Sequence, residues 1–259
     1  MQERLSFYVR RKSDLHALNP LTKLTLAFVL TILGFISPWY WTPQSVILLV
    51  IIPLSFLGKV QREYFSIATR LILPATGFLF FMQAFFQPVG KDYIFQFWFL
   101  HITPESLALA FSNASRIFAM VSSFTLFLLT THPSELMSDL TRRGLPPQFS
   151  YVIISTIQII PQMRAKAQTI IAAQRSRGLD TTSSFIRRVG ALFPLVGPLV
   201  FGSLVEVEER AIAIEARGFT STRVKTSLYD IPDTNLDRAL RWVLIALIII
   251  TISLRLWLS

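Results

Sequence analysis

Two stretches, "AAQRSRGLD" at Ala172–Asp180 and "AIEARGFTS" at Ala213–Ser221, write one phrase twice in a chain that is otherwise mostly apolar. With the glycines aligned, Ser176-Arg177-Gly178-Leu179 falls on Ala216-Arg217-Gly218-Phe219. Each copy closes a long pattern of helical periodicity. The first runs from about Gln148 through "YVIISTIQIIPQMRAKAQTIIAAQRSR", the second from about Ser184 through "FIRRVGALFPLVGPLVFGSLVEVEERAIAIEAR". Both begin apolar and become amphipathic, with Ala and charged residues mixed at helical spacing. Pro161, Pro194 and Pro198 are expected to kink or interrupt them near that change.

Outward from these patterns the chain reads as membrane. Of 259 residues, 52% are hydrophobic and only 15% charged, against about a quarter charged in a soluble domain. Apolar runs at about Leu21–Ser37, Ser45–Leu57, Leu71–Phe86, Ser106–Thr130 and Trp242–Trp257 predict five spans. "PWYWTPQ" between the first two has the aromatic content of a headgroup-level turn. The opening "MQERLSFYVRRKSDLHALNP" has no apolar core of a signal peptide, so the first run is expected to stay in the membrane. An alternative makes Val189–Leu204 a further span, but Pro194, Gly197, Pro198 and Gly202 suit an upright helix poorly.

Net charge is +10, and its distribution decides its meaning. Arg4, Arg10, Arg11, Lys12 and Lys23 precede or open the first span. The next turn has no Lys or Arg, the loop after the second run has Lys59, Arg62 and Arg70, and the loop after the third has Lys91. The long stretch from Thr131 to Arg241 is the most basic of all. This alternation predicts a cytoplasmic amino terminus and a cytoplasmic Thr131–Arg241 region. Because the basic residues follow topology and lack interleaved aromatics, nucleic acid is not expected as a partner.

A lone Arg-Gly after a helix is ordinarily a stop: Gly takes the left-handed cap and Arg faces the last carbonyls. "RRGLPP" at Arg142–Pro147 reads that way. The paired copies read as more. A small residue permits close approach, Gly fixes the stop, and Arg projects a planar fork suited to carboxylates or helix carbonyls. Leu179 or Phe219 then fills a neighbouring apolar pocket.

"LHALNPLTKL" (Leu15–Leu24), "LLTTHPSELMSDLTRRGLPP" (Leu128–Pro147) and the two triplets together resemble the transmembrane T component of energy-coupling factor transporters, importers of vitamins and transition-metal ions. The resemblance covers nearly the whole chain. Its most specific element is the paired Ala-Arg-Gly signature, from which the first copy departs by Ser176 for Ala. It implies an all-α integral membrane protein of about five transmembrane helices, with a cytoplasmic coupling domain of two long crossing amphipathic helices. The expected division is 1–131 for about four spans, 132–235 for the coupling domain and 236–259 for a last span, in the cell membrane. The resemblance further implies that Ser176, Arg177, Gly178, Ala216, Arg217 and Gly218 dock two ATP-binding-cassette ATPase subunits. A separate membrane-embedded S component would bind the substrate. No catalytic, metal or cofactor site is expected. No glycine begins or completes a phosphate-binding G-x-x-x-x-G-K-[ST] loop, so ATP would be hydrolysed by the partners.

Other residues offer less. Arg116, inside the fourth run near Ser112, Asn113 and Ser115, is the centre of the alternative reading, a self-sufficient secondary transporter. His16, His101 and His132 cannot be assembled into a metal site from their spacing, and there is no cysteine. Glu206, Glu208 and Glu209 are expected to form ion pairs.

Overall fold

Ser13 and Asn19 open the first two helices described in the computed structural model, which describes residues 8–9, 11, 13–37, 39–86, 95–97, 100–178, 185–221 and 232–258. Ser13 caps a single turn, α1 (Asp14–Ala17), and Asn19 caps α2 (Pro20–Ile36), its side-chain oxygen accepting from Leu21 N at 2.9 Å. Pro20 suits the first helical position, where an N–H would find no acceptor in the helix. There follow α3 (Thr42–Leu57), α4 (Gln61–Phe86), α5 (Pro104–Thr130), α6 (Pro133–Arg142), α7 (Pro147–Ser176), α8 (Phe185–Ala216) and α9 (Asn235–Leu258). α4, α5 and most of α9 are long and apolar enough to cross a bilayer, and α2 and α3 are shorter apolar helices. α8, which contains the alternative span Val189–Leu204, is not among the helices that meet that length and hydropathy. The chain is an all-α membrane protein, with one small addition that the sequence did not announce: a two-stranded antiparallel hairpin, Phe95–Phe97 with Leu100–Ile102.

Two expectations need correction. Arg62 and Arg70 do not lie in a loop; Gly58, Lys59 and Val60 complete the connection, and α4 is helical from Gln61. Lys59 turns the chain with a φ of 54° and Val60 is fully buried, so the helix restarts at once. The polar first turns made the helix look like a loop. Of the kink or interruption expected at the prolines, interruption does not occur: α7 continues through Pro161 and α8 through Pro194 and Pro198. Each proline removes one bond of the ladder, and the turns on either side keep the rest.

The described residues fall into two compact units, one within Ser6–Gly144 and Ile231–Ser259, the other within Leu145–Asp230. In the first, α5 packs on α2, α3 and α4, and α9 packs on α2. Its helix contacts use small residues such as Ala27, Ala84, Ala110, Ala119 and Ser123, all buried, which let backbones approach where lipid supplies no hydrophobic drive between helices. Larger side chains, Leu30, Ile51, Tyr64, Ile72 and Leu126 among them, fill the space left.

Polar groups at the helix ends hold this unit together. The Asp237 carboxylate, 1% exposed, accepts from Asn19 N at 3.0 Å, from Thr234 Oγ1 at 2.6 Å and from Thr234 N at 3.2 Å. One carboxylate thereby serves the amino ends of two helices, α2 and α9. Lys23, 3% exposed, donates to His16 O at 2.9 Å and to Thr130 O at 3.1 Å, the latter at the carboxyl end of α5. A cation in the first turn of α2 opposes that helix's dipole but suits the end of α5. His16 Nε2 faces Val9 O at 2.9 Å and so carries the proton, leaving Nδ1 to accept from Ser13 Oγ at 2.7 Å. Burial pushes the His16 imidazole below its ordinary pKa.

In the second unit α7 and α8 are antiparallel. Lys166 Nζ meets Glu206 Oε1 at 2.7 Å, Arg210 donates to Gln162 Oε1 at 3.4 Å, and the Tyr151 and Phe219 rings lie 5.3 Å apart. Partners rise along one helix as they fall along the other. At the crossing a Cβ on Gly202 would meet Lys166 Nζ at 2.8 Å, so glycine brings the lysine stem against the α8 backbone.

Asp237→Ala leaves the buried Asn19 N without its acceptor, at about 1–3 kcal/mol, and removes the cap bonds of the exposed Thr234. Thermal unfolding of the purified chain in detergent is expected to show a clearly lowered Tm, with Asp237→Asn intermediate. An unchanged Tm for the alanine variant would contradict the joint-cap role.

Candidate functional site

The two Arg-Gly phrases end α7 and α8 in the same local geometry. Gly178 has φ 92° and Gly218 φ 72°, both left-handed. Gly178 N donates to Arg175 O at 3.0 Å, and Gly218 N to Glu215 O at 2.8 Å. At the second end Phe219 N also reaches back to Ile214 O at 3.0 Å, which completes a Schellman stop. Ser176 and Ala216 are the last helical residues, and Arg177 and Arg217 are the half-helical residues before each glycine. Leu179 lies outside the described residues.

Cap geometry alone cannot mark a special site, because Arg143-Gly144 repeats it. Gly144 has φ 112°, and its N–H donates to Thr141 O at 3.1 Å. The difference lies in the arginines. Arg143 is tied to Asp139 Oδ2 at 3.4 Å and to Asp233 Oδ2 at 3.1 Å, in a group that Arg241 joins through Asp233 Oδ1 at 2.7 Å. Arg177 and Arg217 are exposed, and neither guanidinium has a hydrogen-bond or ion-pair partner among the described residues. Two of the three Arg-Gly stops thus present five unspent donors each, and the third is consumed by the fold.

The neighbouring side chains behave differently. Ser176 Oγ turns back to Ala172 O at 3.2 Å, so its hydroxyl is satisfied within α7 and the residue is small in effect, like Ala216. Phe219 is half-buried and leans on Tyr151. That contact also measures the site. Because the end of α8 lies beside Tyr151, near the start of α7, Arg217 and Arg177 stand about 40 Å apart along the helix pair at 1.5 Å per residue.

The chain that carries these two unspent arginines on one antiparallel helix pair also carries five apolar helices, and its sequence is similar to known proteins. The cobalt transport protein family CbiQ matches residues 11–228, which include both Arg-Gly ends. The chain belongs to the CbiQ family. It is similar to energy-coupling factor transporter transmembrane proteins EcfT: 25% identical to that of Lactococcus lactis, with 96% of each chain covered, and 29% identical to that of Exiguobacterium sibiricum, with 94% of this chain and 95% of the relative covered. The one from Thermanaerovibrio acidaminovorans is 28% identical over 93% of this chain and 88% of its own. Family and relatives make this CbiQ chain the T component of an energy-coupling factor transporter, a membrane subunit of a transport machine.

The remaining candidates are engaged elsewhere or unmatched. Glu206 forms the expected ion pair, with Lys166. His16 and His132 flank the Tyr8 ring at 6.0 and 5.2 Å, and His132 Nδ1 accepts from Ser134 N at the start of α6. No group of metal-ligating side chains forms among the described residues. In α5, Asn113 donates to Gln83 Oε1 at 3.2 Å and Ser115 meets the Gln44 amide at 3.2 Å. The Arg116 Nε and Ser112 hydroxyl are buried without a partner among the described residues.

Gly178→Ala and Gly218→Ala test the caps apart from any partner. Nothing lies within 4 Å of a Cβ on Gly178, and only Ser221 Cβ approaches one on Gly218, at 3.9 Å. The cost is therefore that of the left-handed backbone, about 1–2 kcal/mol per site. The Tm of the purified chain is expected to fall, and less for Gly218→Asn than for Gly218→Ala.

Proposed function

We propose that this T component couples two ATP-binding-cassette ATPases to a membrane-embedded substrate-binding S component, with Arg177 and Arg217 as its two docking points. The observation that carries the reading is the contrast among the three Arg-Gly stops: Arg143 is neutralised by acids of its own chain, whereas the paired arginines are exposed and unpartnered at opposite ends of α7 and α8. Each ATPase would offer a carboxylate or a set of helix carbonyls to one fork. The spacing of about 40 Å suits two separate receptors better than one. Ser176, Gly178, Ala216 and Gly218 shape the tips, Leu179 supplies an apolar contact, and Phe219 buttresses the second tip through Tyr151.

The alternation of basic residues supports a cytoplasmic amino terminus, cytoplasmic α7 and α8, and residence in the cell membrane. Exposed apolar side chains on both long helices, including Ile157, Ile160, Phe201 and Leu204, suit contact with a membrane partner. The cargo is a vitamin or a transition-metal ion, and the choice between them belongs to the S component.

A second reading draws on Arg116, whose unpartnered Nε would suit a self-sufficient secondary transporter. Energy dependence separates the two. In proteoliposomes the chain alone is expected to move no cargo and turn over no ATP; uptake should need the ATPases and the S component. Gradient-driven uptake by the chain alone would favour the second reading and overturn the first.

Charge reversal tests the docking residues. Breaking a charge-assisted pair at a buried interface by changing one partner costs about 2–5 kcal/mol, roughly 30-fold or more in one contact. Arg177→Glu or Arg217→Glu alone is expected to impair transport more than assembly, since the other tip still holds by avidity. The double variant is expected to lose the ATPases in co-purification at equal membrane expression. Retention of both ATPases and wild-type uptake by the double variant would reduce these arginines to helix caps.

A further inference from the structure

A cavity of about 540 Å³ opens in the membrane unit between the α2–α3 turn and the first turns of α5, and none of the coupling chemistry uses it. Its walls are predominantly apolar. Glu105, Leu109 and Ser112 contribute from α5, and their spacing of four and then three positions puts them on one helix face. Tyr40 and Trp41 contribute from the turn, 62% and 77% exposed, as aromatic residues at headgroup depth are. Two polar features define what would fit. Among the described residues lining the cavity, Glu105 alone is charged, and it stands exposed at the mouth. Further in, Ser112 is 2% exposed and its hydroxyl has no partner. A buried hydroxyl left unpaired is costly, so an acceptor from a ligand would stabilise it.

We propose that this cavity binds one phospholipid with a primary ammonium headgroup. The ammonium pairs with Glu105 beside the Tyr40 and Trp41 rings, which favour a cation. Ser112 lies seven positions further along α5, about 10 Å deeper, at the level of the lipid's ester carbonyls, one of which accepts the Ser112 hydroxyl. The hydrocarbon continues over Leu109 and Phe111. An anionic headgroup in the same place would face Glu105 as a like charge. Arg116, one turn deeper than Ser112, does not line the cavity, so among the described residues lining it no cation offsets Glu105. The inference goes beyond the coupling function and needs only that these helices sit in a bilayer.

Native mass spectrometry of the delipidated full chain tests it, with phosphatidylethanolamine, phosphatidylcholine and phosphatidylglycerol offered at equal concentration. One equivalent of phosphatidylethanolamine is expected to be retained about fivefold over phosphatidylglycerol, the size of a partly exposed ion pair. Glu105→Gln should abolish that preference, and Ser112→Ala should weaken every lipid alike, while Asp14→Asn, away from the cavity, changes neither. Unfolding temperatures verify that each variant is folded. Equal or stronger retention of phosphatidylglycerol by the wild type would overturn the proposal and assign the local charge to Arg116. Phosphatidylcholine bound as well as phosphatidylethanolamine would overturn the primary-ammonium assignment, and displacement by millimolar free ethanolamine would overturn the lipid assignment. Because no ATPase is present, a negative result leaves the docking reading intact, and failed docking leaves this one intact.

Discussion

A helix end beside an apolar medium leaves several backbone donors or acceptors with nowhere to go, and the membrane unit meets that constraint with two buried charges. Asp237 collects donors from the amino ends of α2 and α9, which approach each other although 218 residues separate Asn19 from Asp237. Lys23 collects acceptors, including the carboxyl end of α5 at Thr130. Both charges sit within a few residues of a cap, so each helix starts in register with the end of a neighbour. The packing of small residues below them depends on that alignment. Side chains such as Ala27, Ala119 and Ser123 permit close approach without specifying a depth; the caps specify it.

The five apolar helices were legible in the sequence because lipid imposes a composition that few other environments do. What failed there failed for local reasons. Arg62 and Arg70 disguised the early turns of α4 as a loop, since long basic side chains can leave a helix toward water without ending it. The hairpin at Phe95–Phe97 is too short to show an alternation that stands out from its apolar surroundings. Pro161, Pro194 and Pro198 suggested a kink or an interruption, and the long flanking turns keep both helices continuous.

The candidate site was legible in a different degree. Repetition revealed both Arg-Gly ends, and the helical pattern before each predicted the stop that the positive φ values display. Which arginines are free was not legible. Asp139, four positions before Arg143, is a local hint that Arg177 and Arg217 lack, but the second acid, Asp233, lies 90 residues away. The contact of Phe219 with Tyr151 was not legible either, since Tyr151 belongs to the other helix. "LHALNPLTKL" shows the reverse case: a motif noticed for its resemblance proves to contain a cap at Asn19 and a clamp at Lys23.

The crossing of α7 and α8 also decides which deformation of the pair is easy. A hydrogen-bonded helix resists stretching, because lengthening it opens every bond of its ladder at once. Rotation of one rod over the other asks far less. At the contact, Gly202 presents bare backbone to the flexible end of Lys166, and the Lys166–Glu206 pair can follow a changed angle by rotamer adjustment alone. The angle between its members is therefore softer than the length of either, restrained at one end by the Tyr151–Phe219 contact, with Arg177 and Arg217 at the far ends of the two arms. A small change of separation imposed at the tips becomes a scissoring about Gly202, and leverage rather than elasticity is what such a shape transmits.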